Sequence, residues 1–221
     1  HAEHIAARRI DAIYAQPFVA HACAEPMNAL VRIDSRQATL VLPTQAPPAA
    51  LAMVQRLTGL TPAQIDIRVP RVGGAFGRRL DHDWLAEAIM LAKAIGKPIK
   101  LMWTRGEDLA HDVYRPLAVH RLSAALDRRG HITAWRQRRA SPSALLNRGV
   151  PHGQLWTSEV EQDALPAGLV ANYQSEWLAL HTTLPCGSLR GDAYASNAFA
   201  EQCFIDEIAK ALRTDPLKLR L

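Results

Sequence analysis

Apolar positions along the chain recur with two periods, and their order predicts a mixed architecture. Two partly alternating stretches, Ala29–Ile33 and Ala38–Leu42, flank the polar break Asp34-Ser35-Arg36 and predict a hairpin. Pro47-Pro48 open an amphipathic segment that ends near Gly59. A proline pair presets a first helical turn and a glycine supplies a C-terminal stop, so a helix is expected over 48–58. Ile65–Val69 alternates as a strand and runs into Gly73-Gly74-Ala75-Phe76-Gly77. Trp84, Leu85, Ala88, Ile89, Leu91, Ala92 and Ile95 then recur at helical spacing over 83–95, ended by Gly96 and Lys97-Pro98.

Further along, Ile99–Trp103 predicts a short strand, and Val119–Leu126 with Ile132–Arg138 a second hairpin around Asp127–Gly130. Residues 141–172 are rich in Pro, Gly, Ser and Asn and predict irregular chain with one short helix at most. Tyr173–Thr182 reads as another strand. An amphipathic helix follows over 197–212, its buried face expected on Phe199, Cys203, Phe204, Ile208 and Leu212. Strands outnumber helices and come partly as hairpins, which argues for an α+β fold of mixed or antiparallel sheets with packed helices rather than a doubly wound parallel sheet.

Composition bounds the function classes. The 221 residues are 48% hydrophobic and 21% charged, the balance of a globular protein able to bury a core without disulfide or metal staples. Lys and Arg outnumber Asp and Glu by 26 to 21, a net charge of +5. Arginines cluster at Arg78–Arg79, Arg128–Arg129 and Arg136, Arg138, Arg139, where they read as solvated faces, or as a surface for an anionic cofactor, an acidic subunit or nucleic acid. Cys23, Cys186 and Cys203 have neither CxxC nor CxxxxC spacing, so no iron–sulfur or zinc site is expected and no metal directly ligated by the protein. No apolar run reaches the roughly 20 residues of a membrane span, and His1-Ala2-Glu3-His4 lacks a signal-peptide layout. At the other end Asp215-Pro216 reads as a fresh helix start cut short by Leu221, which suggests a piece of a longer chain.

Three constellations could carry chemistry. Glycines at 73, 74 and 77 allow backbone N–H groups to approach an anion closely, although a glycine turn between strand and helix is as often structural. Arg190-Gly191-Asp192-Ala193 again places small residues between an extended segment and a helix, now with an arginine able to fork onto an oxygen. His21 and Glu25, four apart, could orient a ligand or simply one another, and Gln45 adds an amide at a strand end. Asp81-His82-Asp83 fits the acidic start of a helix. No HExxH or GxSxG pattern is present. Taken singly these leave three readings open: a cofactor-binding oxidoreductase, a basic nucleic-acid-binding module, and an enzyme gripping nucleotide phosphates with the glycine loop.

The order of blocks narrows them. AHACAEPMN (20–28), PTQAPP (43–48), VPRVGGAFGRR (69–79), DxxxEAIMLAKAIGKPIK (83–100), RPLAVHRLSAALDRRGHITAW (115–135) and LRGDAYASNAFAEQCFIDEIAKALRTDPLKLR (189–220) together resemble the molybdopterin-binding subunits of the xanthine dehydrogenase and aldehyde oxidase family. They are similar to the branch containing isoquinoline 1-oxidoreductase beta subunits and related membrane-linked aldehyde dehydrogenases. The resemblance covers residues 14–221 and implies the first molybdenum-cofactor-binding domain of a longer subunit, with residues 1–13 as a leader or preceding linker.

It further implies that Gly73, Gly74, Ala75, Phe76 and Gly77 lie against the cofactor and that Arg190, Gly191, Asp192 and Ala193 form a second cofactor loop. His21, Glu25 and Gln45 would border the pocket, while the glutamine that some relatives carry just before the HxxxE block is Val19 here. The implied cofactor is molybdenum-molybdopterin cytosine dinucleotide. The implied reaction is hydroxylation of an aldehyde or N-heteroaromatic carbon with oxygen taken from water, a glutamate acting as base. That glutamate belongs to a GxGE-like motif that this chain does not contain, so no catalytic residue is assigned, and the piece alone is expected to be inactive and to lack cofactor. Partners implied are the rest of the subunit, a [2Fe–2S] electron-transfer subunit and, as a further candidate, a cytochrome c, but not nucleic acid. Compartment is left open, with the branch leaning to the periplasm.

Overall fold

A computed structural model describes residues 7–145, 148–160 and 166–220, and divides the chain into two compact units. The first comprises His1–Val19, Arg115–Cys186 and Gly191–Leu221; the second comprises Ala20–Tyr114 together with the four-residue return Gly187–Arg190.

The second unit is built on a four-stranded sheet of order β4-β3-β2-β5, made from β2 (Asn28–Ile33), β3 (Ala38–Val41), β4 (Ile65–Arg68) and β5 (Ile99–Met102). The expected hairpin is β2/β3, with Ile33 opposite Ala38 and Asp34 closing the turn through its carboxylate to the Arg36 and Gln37 amides. Between β3 and β4, which run parallel, the chain crosses over through α1 (Pro47–Thr58). Helix α2 (Asp83–Ile95) lays Trp84, Leu85, Ala88, Ile89 and Ala92 on the core. Both helices end where predicted, on Gly59 and Gly96 in the left-handed conformation that glycine tolerates. A short α3 (Arg105–Ala110), absent from the periodicity, is set by a capping box in which Thr104 and Glu107 exchange hydrogen bonds.

The first unit carries the sheet β1-β6-β7-β8, from β1 (Arg8–Gln16), β6 (Ala118–Leu126), β7 (Ile132–Ser141) and β8 (Asn172–Ala179). Strand β1 pairs antiparallel with the whole of β6, so the boundary expected after residue 13 falls inside a strand. β6 and β7 form the second predicted hairpin, and β8 joins β7 in parallel. On one face pack α4 (Asp192–Leu212) and the terminal α5 (Pro216–Arg220). The long helix starts five residues before the expected 197, because Gly191 at φ 89° turns the chain directly into it.

That earlier start also corrects the buried face. Ala200, Phe204, Ile205 and Ile208 meet Leu122, Ala124, Leu126 and Trp135, whereas Phe199 is 46% exposed and lies edge-on against Tyr14. The arginine clusters divide as well. Arg128 and Arg129 are exposed, Arg136 and Arg138 pair with Glu176 on the open sheet face, and Arg139 is buried against Glu159 at 2.9 Å.

Replacing Phe204, fully buried with its ring 5.0 Å from that of Trp135, by alanine is expected to cost about 3–5 kcal/mol in urea unfolding. Phe199→Ala, on the exposed flank, should cost under about 1 kcal/mol; equal losses would mean the helix face has been misassigned. His120, fully buried in β6 with Nε2 2.9 Å from Ser196 Oγ of α4, has its pKa pushed down to about 4 by burial and by nearby Arg139. Between its ordinary 6.5 and about 4 the unfolded chain takes up a proton that the folded chain refuses. Stability is therefore lost as pH falls through that window, by about 3 kcal/mol, and His120→Gln should flatten this part of the pH profile.

Candidate functional site

The glycine loop follows β4 as expected, but what comes next is not α2 itself. Arg78–Leu80 form a 3-10 turn, and α2 begins three residues later at Asp83. The loop therefore does not sit at a long helix's N-terminus, and its positive character has to come from its own amides and neighbouring guanidinium groups. Gly74, Phe76 and Gly77 all have positive φ, of 105°, 53° and 108°. For Phe76, which has a Cβ, this conformation costs roughly 1–2 kcal/mol and persists because the surroundings fix it.

Those surroundings include every pocket residue singled out from the sequence. The Glu25 carboxylate accepts from the Gly73 amide at 2.6 Å, and the Glu25 amide donates to the Gly73 carbonyl at 3.0 Å. Gln45 accepts from the Gly77 amide through Oε1 at 3.0 Å. Arg190 donates its amide to the Phe76 carbonyl at 2.9 Å. His21 Nε2 lies 2.8 Å from the Ser188 carbonyl oxygen, in the same short return segment. Where Gly77 lacks a side chain, a Cβ would lie 1.8 Å from that oxygen, so the two backbones touch at a spacing only glycine allows. Gly191, Asp192 and Ala193 belong to the first unit, where they open α4.

Arg78 and Arg79, expected as a solvated face or as a surface for an anionic partner, are instead buried, 1% and 0% exposed. Arg79 donates to the carbonyls of Gly74, Pro43 and Glu25, sits 3.4 Å from the Glu25 carboxylate and stacks over the Trp84 ring. Its own carbonyl accepts from the Gln45 amide at 3.1 Å, which aims Gln45 at the loop. Arg78 makes a two-pronged pair with Asp83 at 2.8 Å and lies over Trp103. Its Nε is 3.0 Å from Asp112 Oδ1, an ionic contact rather than an aligned hydrogen bond.

Asp112, also missed, accepts from the His21 amide, ring Nδ1 and the Val113 amide. Burial alone would raise the Asp112 pKa, but His21 and Arg78 overcome it and hold the carboxyl below its usual range. Asp83, expected as a helix-start acid, is the partner of Arg78. His82 is buried with Nε2 2.7 Å from Thr44 Oγ1, and burial lowers its pKa. The signal available in the sequence was adjacency: two arginines directly after a glycine turn, where a loop folded on itself needs internal donors.

The inner side of the loop is thus fully committed and the outer side is open. Among the described residues, the amides of Gly74, Ala75 and Phe76 donate to no protein acceptor, and the side chains of Arg71 and Arg190 have no anionic partner. The Phe76 ring is 44% exposed. Consecutive free amides and one exposed aromatic face, on a loop joined to the backbone of Arg190, suit a flat, oxygen-rich, anionic ligand, so the donor set fits a phosphate-bearing pterin.

These features define a loop with unspent backbone donors, joined through the Arg190 amide to a second chain segment. Residues 2–221 match the molybdopterin cofactor-binding domain family, and the chain belongs to it. It is 29% identical over 231 residues to the isoquinoline 1-oxidoreductase subunit beta of Brevundimonas diminuta, covering 96% of this chain and 29% of that protein. With the membrane-bound aldehyde dehydrogenase (pyrroloquinoline-quinone) of Gluconacetobacter polyoxogenes it shares 28% identity over 96% of this chain and 29% of the relative. In three dimensions it is similar to quinoline 2-oxidoreductase from Pseudomonas putida 86, with a TM-score of 0.79 and 21% identity over 99% of this chain and 28% of that one. The α+β expectation holds, and the chain spans about 29% of the length of the curated relatives it matches.

Gly77→Ala should disrupt the loop, costing roughly 4 kcal/mol or more in the second unit, because the new Cβ would overlap the Ser188 carbonyl. Gly59→Ala, equally left-handed at φ 77° but facing open space, should cost only about 1 kcal/mol. Differential denaturation of the two variants checks the contrast.

Proposed function

We propose that this chain forms the cofactor-gripping first part of a molybdenum hydroxylase subunit, binding molybdopterin as its cytosine dinucleotide, for oxidation of an aldehyde or N-heteroaromatic carbon. The observation that supports the reading is the hydrogen bond from the Arg190 amide to the Phe76 carbonyl, which brings the backbone at Arg190 beside a loop whose 74–76 amides have no acceptor among the described residues. When bound, the cofactor supplies the redox chemistry, hydroxylating an electron-poor carbon with oxygen from water.

The chain's own residues then do three things. Gly74, Ala75 and Phe76 present N–H groups to ligand oxygens; Arg190 neutralises anionic charge; Glu25 and Gln45, spent on Gly73 and Gly77, hold the loop's curvature rather than touch the ligand. Gly191, Asp192 and Ala193 supply the second loop in this reading. The proton-accepting glutamate lies elsewhere in the subunit, and electrons leave through a partner carrying [2Fe–2S] clusters, with a cytochrome c as a further acceptor in a periplasmic setting.

The 221-residue chain alone is expected to show no aldehyde turnover with an artificial electron acceptor; turnover above the buffer rate would sink this division of labour. In the longer subunit, Arg190→Ala removes one charge-assisted contact and should lower molybdenum content, measured by mass spectrometry, by about tenfold or more. Unchanged content would remove Arg190 from the site. If instead the affinity of the chain for duplex DNA falls steeply with salt, or ATP or NAD raises its melting temperature, the nucleic-acid or nucleotide alternative replaces the proposal.

A further inference from the structure

We infer that Asp112 is a positioning residue of this site: with His21 it forms a buried ionic strut that fixes the return segment 187–190 against the glycine loop and so sets where Arg190 and Phe76 present their donors. The inference rests on the functional reading above only for its consequence, not for its geometry.

The strut is a line of alternating charge. Asp83, 42% exposed at its side chain, holds Arg78; Arg78 lies on Asp112; Asp112 holds His21; and His21 reaches the Ser188 carbonyl. Arg78, Asp112 and His21 side chains are each only 1–2% exposed, so none can exchange its partner for water. The two oxygens that flank the His21 ring accept and do not donate. The ring therefore meets both only with a proton on each nitrogen, and in that state it draws a carboxylate and a peptide carbonyl toward one another.

What the strut holds is a contact with no slack. Ser188 oxygen sits where a Gly77 side chain would begin, and two residues on, the Arg190 amide closes on Phe76. The return segment contributes only four residues to this unit and has no strand or helix to register it. Besides the His21 link, its described anchors are the Gly187 amide on the Tyr114 carbonyl and the Arg190 amide on Phe76. Val113 and Tyr114 follow Asp112 directly, and Val113 lies under Gly187, where a Cβ would meet it at 2.8 Å. Displacing Asp112 therefore loosens the segment at Ser188 and at Gly187 together.

The test is hydrogen exchange on the 221-residue chain. Asp112→Asn keeps the shape and removes the charge; His21→Gln keeps a donor and an acceptor but carries both its N–H donors on one nitrogen, so it cannot donate from two opposite ends. Each should speed exchange of the Arg190 amide about tenfold or more relative to the Val31 and Leu85 amides in the same unit, and the double variant should be no faster than the worse single one. Uniform acceleration of Arg190, Val31 and Leu85, or single effects that multiply, would overturn the strut, since a merely structural residue behaves that way. Should either variant fail to fold, the unaltered protein decides: nuclear magnetic resonance should find slowly exchanging protons on both His21 ring nitrogens, and a single ring proton overturns the inference. None of these measurements involves a cofactor. If they succeed while Arg190→Ala leaves the molybdenum content of the longer subunit unchanged, the strut stands and the functional reading falls.

Discussion

Two guanidinium groups lie side by side out of contact with water, and the second unit is arranged around that fact. An unpaired buried charge is prohibitive, so each has been surrounded: Arg78 by Asp83 and Asp112, Arg79 by the Glu25 carboxylate and by four peptide carbonyls. The partners come from chain positions far apart, from the HxxxE block, the end of β3, the glycine loop and the turn after α3. Meeting the demand of two adjacent arginines therefore brings four otherwise irregular segments to one place. Hydrophobic burial on α2 gives the unit its stability, but it would tolerate those segments in many arrangements; the arginines do not.

The same constraint explains why the loop can present donors outward. Gly73 and Gly77 amides, and the carbonyls of Gly73 to Gly77, are spent inward on Glu25, Gln45, Arg79, Arg78, Leu80, Arg190 and Cys23. With its inner edge fixed, the strained backbone at Phe76 is affordable, and the three amides between the anchors face away from the protein's own acceptors. A donor array already ordered before the ligand arrives loses little conformational entropy on binding, which is what a cofactor grip made of backbone needs.

How much of this could be read beforehand follows from what makes each part. Helices α1 and α2 were legible to within a residue because a proline pair, a periodic apolar face and a terminal glycine agree. α4 was legible in kind but displaced at its start, since Gly191 carries the stop-and-turn information while residues 192–196 hold one large side chain, Tyr194, which is exposed and so shows no apolar stripe. β1 was hidden because it alternates between a charged, open face and a half-buried one. At the site, His21, Glu25, Gln45, the glycine loop and Arg190 were singled out as candidates, and the structure brings them together. Asp112, Arg78 and Arg79 were not, because the one local sign, two arginines directly after the glycine turn, does not name the partners that bury them. Their role is defined by partners up to 91 residues away, as in the hydrogen bond from His21 to Asp112.

That separation bears on how the site forms. Residues 20–114 of the second unit lie in the sequence between β1 and β6, and the first-unit residues that flank them, Val19 and Arg115, exchange amide hydrogen bonds at 3.3 and 2.9 Å. Residues 20–114 thus start and finish at one point, so their sheet and helices can condense as a closed loop whose entropy of closure grows only slowly with length. The return segment 187–190 is different. It follows β6, β7 and β8 in the chain, and has four residues with which to make a contact that excludes even a methyl group. A docking this short cannot rely on apolar area, so its specificity has to come from directional groups: the Tyr114 carbonyl, the Phe76 carbonyl and the His21 ring. A binding loop made from one contiguous stretch would be simpler to fold. Splitting it makes the contact at Phe76 depend on a segment distant in sequence, the return at 187–190.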